Sequence, residues 1–169
     1  YGFNERFSNK TAIAPTASIS IICGGASPGV EPVAANSYTH KTLSGSFNVR
    51  NRYLVELLEK HGKNTDDVWS GITTNQGSVS HLDFLTDLEK DVFKTAFELD
   101  QKWIIELSGD RTPFISQAQS INLFVPADIH KRELHKIHFD AWKKGLKSLY
   151  YCRSKSIQRA ENVNDTKAT

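Results

Sequence analysis

A chain of 169 residues with 38% apolar and 10% aromatic side chains is long enough for one domain with a buried core, and its composition is not that of a disordered segment. Its 21 basic and 19 acidic residues are scattered and leave a net charge of +2, which removes the electrostatic case for a nucleic acid or a membrane surface as the main partner. No apolar run approaches the ~20 residues of a bilayer-spanning helix, and the polar start YGFNERFSNK does not read as a signal peptide. Two cysteines, Cys23 and Cys152, lie far apart and outside any CxxC spacing. They argue against a disulfide framework and for a reducing, cytoplasmic compartment. The chain begins with Tyr1 rather than Met, with an apolar segment close behind, and reads as a piece of something larger or as a chain whose start was removed.

The first element is the stretch PTASISIICGGASPGVEP, from Pro15 to Pro32, in which a helix begins at the proline and closes on a glycine-rich turn and a Glu-Pro stop. Tyr38 to Asn51 follows as extended chain with Gly45 as a turn or bulge. Tyr53, Leu54, Leu57 and Leu58 share one face of a short helix that Gly62 ends. Lys63 to His81, rich in Gly, Asn, Ser and Thr, is read as a surface connection. From Phe84 a long helix is expected, with Leu85, Leu88, Val92, Ala96, Leu99, Trp103 and Leu107 inward and Phe93, Phe97 and Ile104 widening the stripe. Asp110 to Pro113 breaks it. Ser116 to Pro126 suits a strand, and a last helix from about Ala127 to Lys147 turns Leu134, Ile137, Ala141, Trp142 and Leu146 inward before the short strand SLYYCR. Beyond Ile157 a polar, disordered tail is expected. The order is helix-rich α/β with strands too scattered to form a sheet without partners.

Two places carry candidate chemistry. Pro15, Thr16, Ala17 and Ser18 stand where a helix starts, so the first N–H groups are orphan donors at the positive end of the helix dipole and attract phosphate oxygens. Thr16 and Ser18 add hydroxyl donors, and Ala17 lets a ligand come close. An ordinary cap by Thr16 or Ser18 is the plainer reading of the same residues. Tyr150 and Tyr151 are adjacent phenols, and stacked phenols can pass an oxidising equivalent by surrendering an electron and a proton together. Neighbours on a strand face opposite sides, however, so stacking requires a local kink; without one, one ring packs the core and the other meets solvent. His130, His135 and His138 lack a partner that completes a metal site and read as surface or hydrogen-bonding residues. Cys23 and Cys152 read as small packing residues, and Lys131, Arg132, Lys136, Lys143 and Lys144 as a solvated helix face.

The segments TAIAPTASIS, GVEP, KTLSGSF, DRTPFISQAQSINLF and HKIHFDAWKKGLKSLYYCRS, in this order, resemble the C-terminal part of the large catalytic subunit of class I ribonucleotide reductase. The likeness runs from Thr11 to about Arg159, and KTLSGSF is nearest the eukaryotic, viral and phage-like branch. The resemblance implies an α/β fold, the C-terminal part of a ten-stranded α/β barrel, incomplete alone, with 1–157 in the barrel domain and 158–169 as tail. It implies that Pro15, Thr16, Ala17 and Ser18 hold the diphosphate of a ribonucleoside diphosphate. It further implies that Tyr150 and Tyr151 relay a radical from the small subunit to a catalytic cysteine.

The family's radical-bearing cysteine, its reducing cysteine pair and their Asn and Glu companions belong upstream of this region, as do the allosteric sites; its redox-active tail also has no counterpart here. Cys23 and Cys152 match none of these. The resemblance implies no cofactor or metal held by this segment, a radical from the metal-containing small subunit, and reducing equivalents from a dithiol protein, thioredoxin or glutaredoxin. The implied partners are the N-terminal part of the large subunit, the small subunit and the ribonucleoside diphosphate, without nucleic acid or membrane, in the cytoplasm (a host's, if phage-encoded). The chain alone is expected to be inactive. It is expected to be one piece of a split subunit that docks on an N-terminal partner across a large apolar interface, or else a truncated chain. The alternative is a non-catalytic nucleotide-binding or regulatory module that docks on a complete reductase.

Overall fold

The structure, a computed structural model, describes residues 6–42 and 45–154. The expected tail beyond Ile157 lies outside the described residues. The chain divides into two compact units: one of residues 18–27 and 32–99, the other of residues 1–17, 28–31 and 100–169. The division falls at the first residue of helix α1 (Ala17–Ile22).

In the first unit, β1 (Ser37–Thr42) and β2 (Gly45–Arg50) form an antiparallel hairpin in the register Ser37↔Arg50 and Thr42↔Gly45. This is the extended stretch expected over Tyr38–Asn51, with Gly45 opening β2. Helix α2 (Arg52–Lys60) starts where the Asn51 side chain accepts from the Tyr53 N–H. It ends as expected at Gly62, in a Schellman turn closed by Lys63 N–H to Leu58 O and Gly62 N–H to Glu59 O. Leu54 and Leu58 are fully buried against Trp69, Ile72, Val79, Leu82 and Leu85.

Trp69 and Ile72 belong to α3 (Asp66–Thr74), so the expected surface connection over Lys63–His81 is corrected: its middle is a helix. Thr65 caps it by accepting from the Val68 N–H, and Asp66 and Asp67 fill its first turn, where the helix dipole favours negative charge. The Gly, Asn, Ser and Thr residues mark its two ends rather than a loop. Asn36, buried before β1, holds the unit together. Its Nδ2 donates to Gly77 O (3.0 Å) and Phe93 O (2.7 Å), and its Oδ1 accepts from Asn51 (2.9 Å).

The expected long helix from Phe84 is also corrected. It is two helices, α4 (Asp87–Val92) and α5 (Gln101–Arg111), and α5 belongs to the second unit. Two Thr-x-x-Glu signals interrupt the apolar periodicity. Thr86 and Glu89 form a reciprocal capping box at the start of α4, and Glu98 accepts from the Thr95 N–H and hydroxyl in the turn that follows. Asp100 then caps α5 by accepting from the Lys102 N–H (2.9 Å).

In the second unit, α5 buries Gln101, Ile104, Ile105 and Ser108, while Trp103 and Leu107 are exposed. A 3-10 turn, Thr112–Phe114, breaks the helix where expected. Of the strand expected over Ser116–Pro126 only β3 (Leu123–Val125) is regular, buried along its whole length and pinned to α5 by the Gln101 side chain, which accepts from the Phe124 N–H. Helix α6 (Lys131–Lys143) is shorter than expected at both ends. His130 caps its start, its Nδ1 accepting from the Arg132 N–H (3.1 Å). Gly145, in the left-handed region at φ 77°, stops it in a second Schellman turn with Leu146 N–H bonded to Ala141 O. Ala141 is buried and Ile137 packs against Ile104, Ile105, Ile121 and Leu123, but Trp142, expected inward, is exposed.

β4 (Cys152–Ser154) pairs parallel with β3, Leu123 opposite Cys152. Upstream, Ile13 bridges Gln119 in parallel, with Ser120 N–H to Ile13 O (2.8 Å) and Ile13 N–H to Ala118 O (3.4 Å). The backbone groups of Ala118 and Ser120 thus face Ile13, and those of Ile121 and Leu123 face Tyr150 and Tyr151. Because successive peptide groups of an extended chain point to opposite edges, this stretch lies between two parallel neighbours. Of these strands β3 is buried and packs with α5 and α6, while β4 is exposed; a buried strand between parallel neighbours and against helices is the arrangement of α/β proteins. Among the described residues the strands form no closed barrel.

Candidate functional site

The tyrosine pair owes its geometry to a β-bulge. Parallel pairing continued back from Leu123↔Cys152 would set one residue opposite Asn122, its N–H on Ile121 O and its C=O on the Leu123 N–H. Here the N–H on Ile121 O is that of Tyr150 (2.9 Å), while the C=O that takes the Leu123 N–H is that of Tyr151 (2.8 Å). Two residues therefore occupy one rung, and the extra residue bends the chain. The rings come together with centroids 4.2 Å apart and planes tilted by 54°, close to the spacing of favourable aromatic pairs. The kink that stacking demands is present, and the alternative of one ring in the core and one outside is not what the chain does: both rings are about half exposed.

The bulge leaves one backbone donor over. The Tyr151 N–H is accepted by the side chain of Asn122 (Oδ1, 3.3 Å), whose Nδ2 donates to Glu31 Oε1 at 2.6 Å. Glu31 and Asn122 are both buried, at 3% and 7% exposure. A Cβ on Gly29 would collide with the Glu31 carboxylate, so glycine there is what lets the carboxylate fold back. The Tyr150 phenol is raised above its ordinary pKa, first by its hydrogen bond with Tyr151 and then by the charge it would share with that neighbour, so it keeps its proton. On the strand beyond, the Arg153 guanidinium lies 5.2 Å from the Tyr151 ring centroid, a cation–π contact.

Pro15, Thr16 and Ala17 follow the residues bridged to Gln119 and lead into α1, the strand–loop–helix order suited to an anion socket. Pro15, Ala17 and Ser18 are exposed. Thr16 does something other than offer its hydroxyl: its N–H (2.9 Å) and its Oγ1–H (3.0 Å) both donate to Pro28 O. It shapes the loop, and the exposed hydroxyl is that of Ser18. Pro15 to Ala17 and both tyrosines belong to the same compact unit. In that unit the short Pro28–Glu31 segment bonds Thr16 at one end and Asn122 at the other.

The remaining candidates fall outside this site. Cys23 and Cys152 are exposed, which corrects their reading as packing residues. His135 stacks on Phe139 and His138 bonds Leu134 O (2.8 Å), while His130 serves as the cap of α6. Among the described residues no three metal-ligating side chains gather, and no helix is long and apolar enough to cross a membrane. In the other unit an open groove of about 310 Å³ is lined by Tyr38, Arg50, Asp66, Trp69 and Thr73, with Arg50 over the Trp69 ring and paired with Asp66. Sequence reading found neither this groove nor Asn122 and Glu31. For the last two, the signal was the buried polar Asn between apolar neighbours in SINLF and the tight glycine of GVEP.

A buried strand, β3, with parallel neighbours and two helices packed near it, and a bulged tyrosine pair on the exposed outer neighbour, defines an α/β protein of the kind that the family comparison specifies. A profile of the family described as ribonucleotide reductase, barrel domain, matches residues 2–152, and the chain belongs to that family. It is 52% identical over 167 residues to the ribonucleoside-diphosphate reductase large subunit of Invertebrate iridescent virus 6, covering 96% of this chain and 17% of the viral protein. To the ribonucleoside-diphosphate reductase subunit alpha of Chlamydia trachomatis serovar D it is 39% identical over 150 residues, 89% of this chain and 14% of that one. Among solved structures, the Actinobacillus ureae class Id ribonucleotide reductase alpha subunit superposes with a TM-score of 0.77 at 40% identity, over 88% of this chain and 27% of its own. The chain thus spans less than a third of the length of these relatives.

Proposed function

We propose that this chain supplies the substrate-diphosphate loop and the tyrosine relay of a ribonucleoside-diphosphate reductase large subunit, which reduces ribonucleoside diphosphates to 2′-deoxyribonucleoside diphosphates by radical chemistry. The observation that carries the reading is the Tyr150–Tyr151 pair in tilted ring contact on a bulged strand, in a member of the reductase barrel family. An oxidising equivalent that reaches one ring as a phenoxyl radical takes an electron and a proton from the other. The first phenol is restored and the radical has moved by one ring. Contact between the rings keeps that step short, and a Tyr150 phenol that retains its proton delivers both particles together.

The diphosphate is assigned to Pro15, Thr16, Ala17 and Ser18. Thr16 fixes the loop on Pro28, and Ser18 presents its hydroxyl. No cofactor is assigned to this segment. The radical is supplied by the metal-containing small subunit, electrons come from thioredoxin or glutaredoxin, and the rest of the active site comes from the remainder of the large subunit. Large apolar side chains left exposed on helices, among them Ile22, Trp103 and Trp142, support a docking partner of that kind.

The test is CDP reduction by a large subunit that contains this segment, with its small subunit and a dithiol reductant. Tyr150→Phe and Tyr151→Phe keep the ring but have no phenolic proton to lose. Each is expected to abolish turnover while nucleotide affinity stays near that of the unmodified protein. Normal turnover by both variants would sink the relay.

A further inference from the structure

We infer that Asn122 and Glu31 are positioning residues for the tyrosine pair: the Glu31 carboxylate locks the Asn122 amide, and the locked amide holds the bulge that brings the Tyr150 and Tyr151 rings into contact. The inference rests on the relay reading above for its functional consequence, but its structural content is separate.

A bulge whose surplus, part-buried N–H had no acceptor would relax toward regular pairing, because a donor withdrawn from water without a partner is costly. Regular pairing would return consecutive side chains to opposite faces and part the rings. Asn122 prevents this by giving the surplus Tyr151 N–H an acceptor. An amide can also turn over and present its NH₂ instead, which would repel that N–H. The 2.6 Å bond from Nδ2 to Glu31 Oε1 fixes which end is which, since a carboxylate accepts and never donates when ionised. Both groups are buried, so water does not compete. Gly29 clears the space that the carboxylate occupies. Asn122 acts through the backbone of Tyr151, and Glu31 acts through Asn122.

The chemistry of the pair provides its own test, because the donor and acceptor ends can be exchanged. In Asn122→Asp two carboxyl groups face each other across the former hydrogen bond and push apart. In the double variant Asn122→Asp with Glu31→Gln, the new amide at position 31 donates to one oxygen of the new carboxylate at position 122, while the other oxygen accepts from the Tyr151 N–H. Net charge and side-chain size are kept.

The variants are made in a large subunit containing this segment and assayed for CDP reduction with the small subunit, and crystal structures give the ring separation. N122D is expected to lose on the order of tenfold or more in kcat, the scale of a misplaced reacting group, with KM for the diphosphate unchanged and the ring centroids further apart than 4.2 Å. The double variant is expected to regain both kcat and the ring contact. A fold-stabilising role alone would lower the melting temperature without that split and without the exchange restoring kcat. Full turnover by N122D with the rings in place, or a folded double variant that restores neither property, overturns the inference. Should N122D fail to fold, Glu31→Ala, which leaves the amide unlocked, is expected to give the same loss of kcat and the same parting of the rings; unchanged rings there also overturn it. If Tyr150→Phe and Tyr151→Phe both turn over normally, the relay reading falls, and the ring separations alone still decide whether Asn122 and Glu31 hold the pair.

Discussion

Among the described residues, several buried asparagine and glutamine side chains satisfy backbone groups that apolar neighbours cannot. Asn122 serves the surplus donor of a bulge, Gln101 accepts from the Phe124 N–H, and Asn36 satisfies Gly77, Phe93 and Asn51 at once. Each stands in a chain segment without a regular ladder on that side, where backbone groups would otherwise be buried without partners. The energetic consequence is largest at Asn36, which is 1% exposed. Asn36→Ala leaves the Phe93 carbonyl and an Asn51 donor without their partner and opens a small cavity. It is expected to destabilise the protein by on the order of 3 kcal/mol, read as a lower midpoint of chemical denaturation. A change below about 1 kcal/mol would mean that water takes over these bonds.

At the scale of elements, caps decide more than periodicity. Helix α4 exists because Thr86 and Glu89 satisfy each other's backbone donors, and the same Glu89 carboxylate bonds His61 at 2.9 Å. Its pKa is held down to about 2, first by the His61 hydrogen bond and then by the Thr86 backbone and hydroxyl donors. A carboxyl whose folded pKa lies below its unfolded value stabilises the fold above the unfolded value, near 4.5, and loses that contribution as pH falls toward 2. Thermal unfolding followed from pH 6 down to pH 2 is therefore expected to weaken more in the parent protein than in Glu89→Gln. Parallel pH profiles would show that this carboxyl does not couple to folding. The same rules explain the helix ends that patterning placed wrongly. The apolar stripe runs through Phe84–Leu107 without a gap, yet the Thr-x-x-Glu signals and Asp100 restart the chain twice.

For the molecule as a whole, each of the two units has its own apolar cluster, and the chain still leaves Trp103 at 63% and Trp142 at 70% exposure while burying Trp69. If the chain works within a large subunit as proposed above, the remainder of that subunit is expected to cover such surfaces. Tryptophan emission gives the check. Added N-terminal large-subunit protein is expected to shift the emission of Trp103 and Trp142 to shorter wavelength as the indoles leave water, and a Trp69→Phe background removes the buried contribution. Emission unchanged in a mixture that demonstrably assembles would place the partner's surface elsewhere.

Much of this was legible in local sequence because the physics involved is local. The hairpin around Gly45, the Gly62 stop and the break after Asp110 depend on residues within a few positions of each other, and the structure has them all. The motif order from TAIAPTASIS to SLYYCRS was enough to indicate the family, which the comparison bears out. Other features depend on chain brought from far away. The periodicity turns Trp103 and Leu107 of α5 inward, yet both are exposed, because Ile121 and Leu123 select the Ile104–Ile105 face by packing there. The helix at Asp66–Thr74 owes its place to Leu54 and Leu58, which cover Trp69 and Ile72. Two adjacent tyrosines are plain in the sequence, but their stacking needs a bulge held by Asn122, and Asn122 is oriented by a glutamate 91 residues away. Local sequence sets caps, turns and the identity of the reactive side chains, because those interactions close within a turn or two. Face choice, register and the contact between two rings are settled only when distant segments compete for the same buried space.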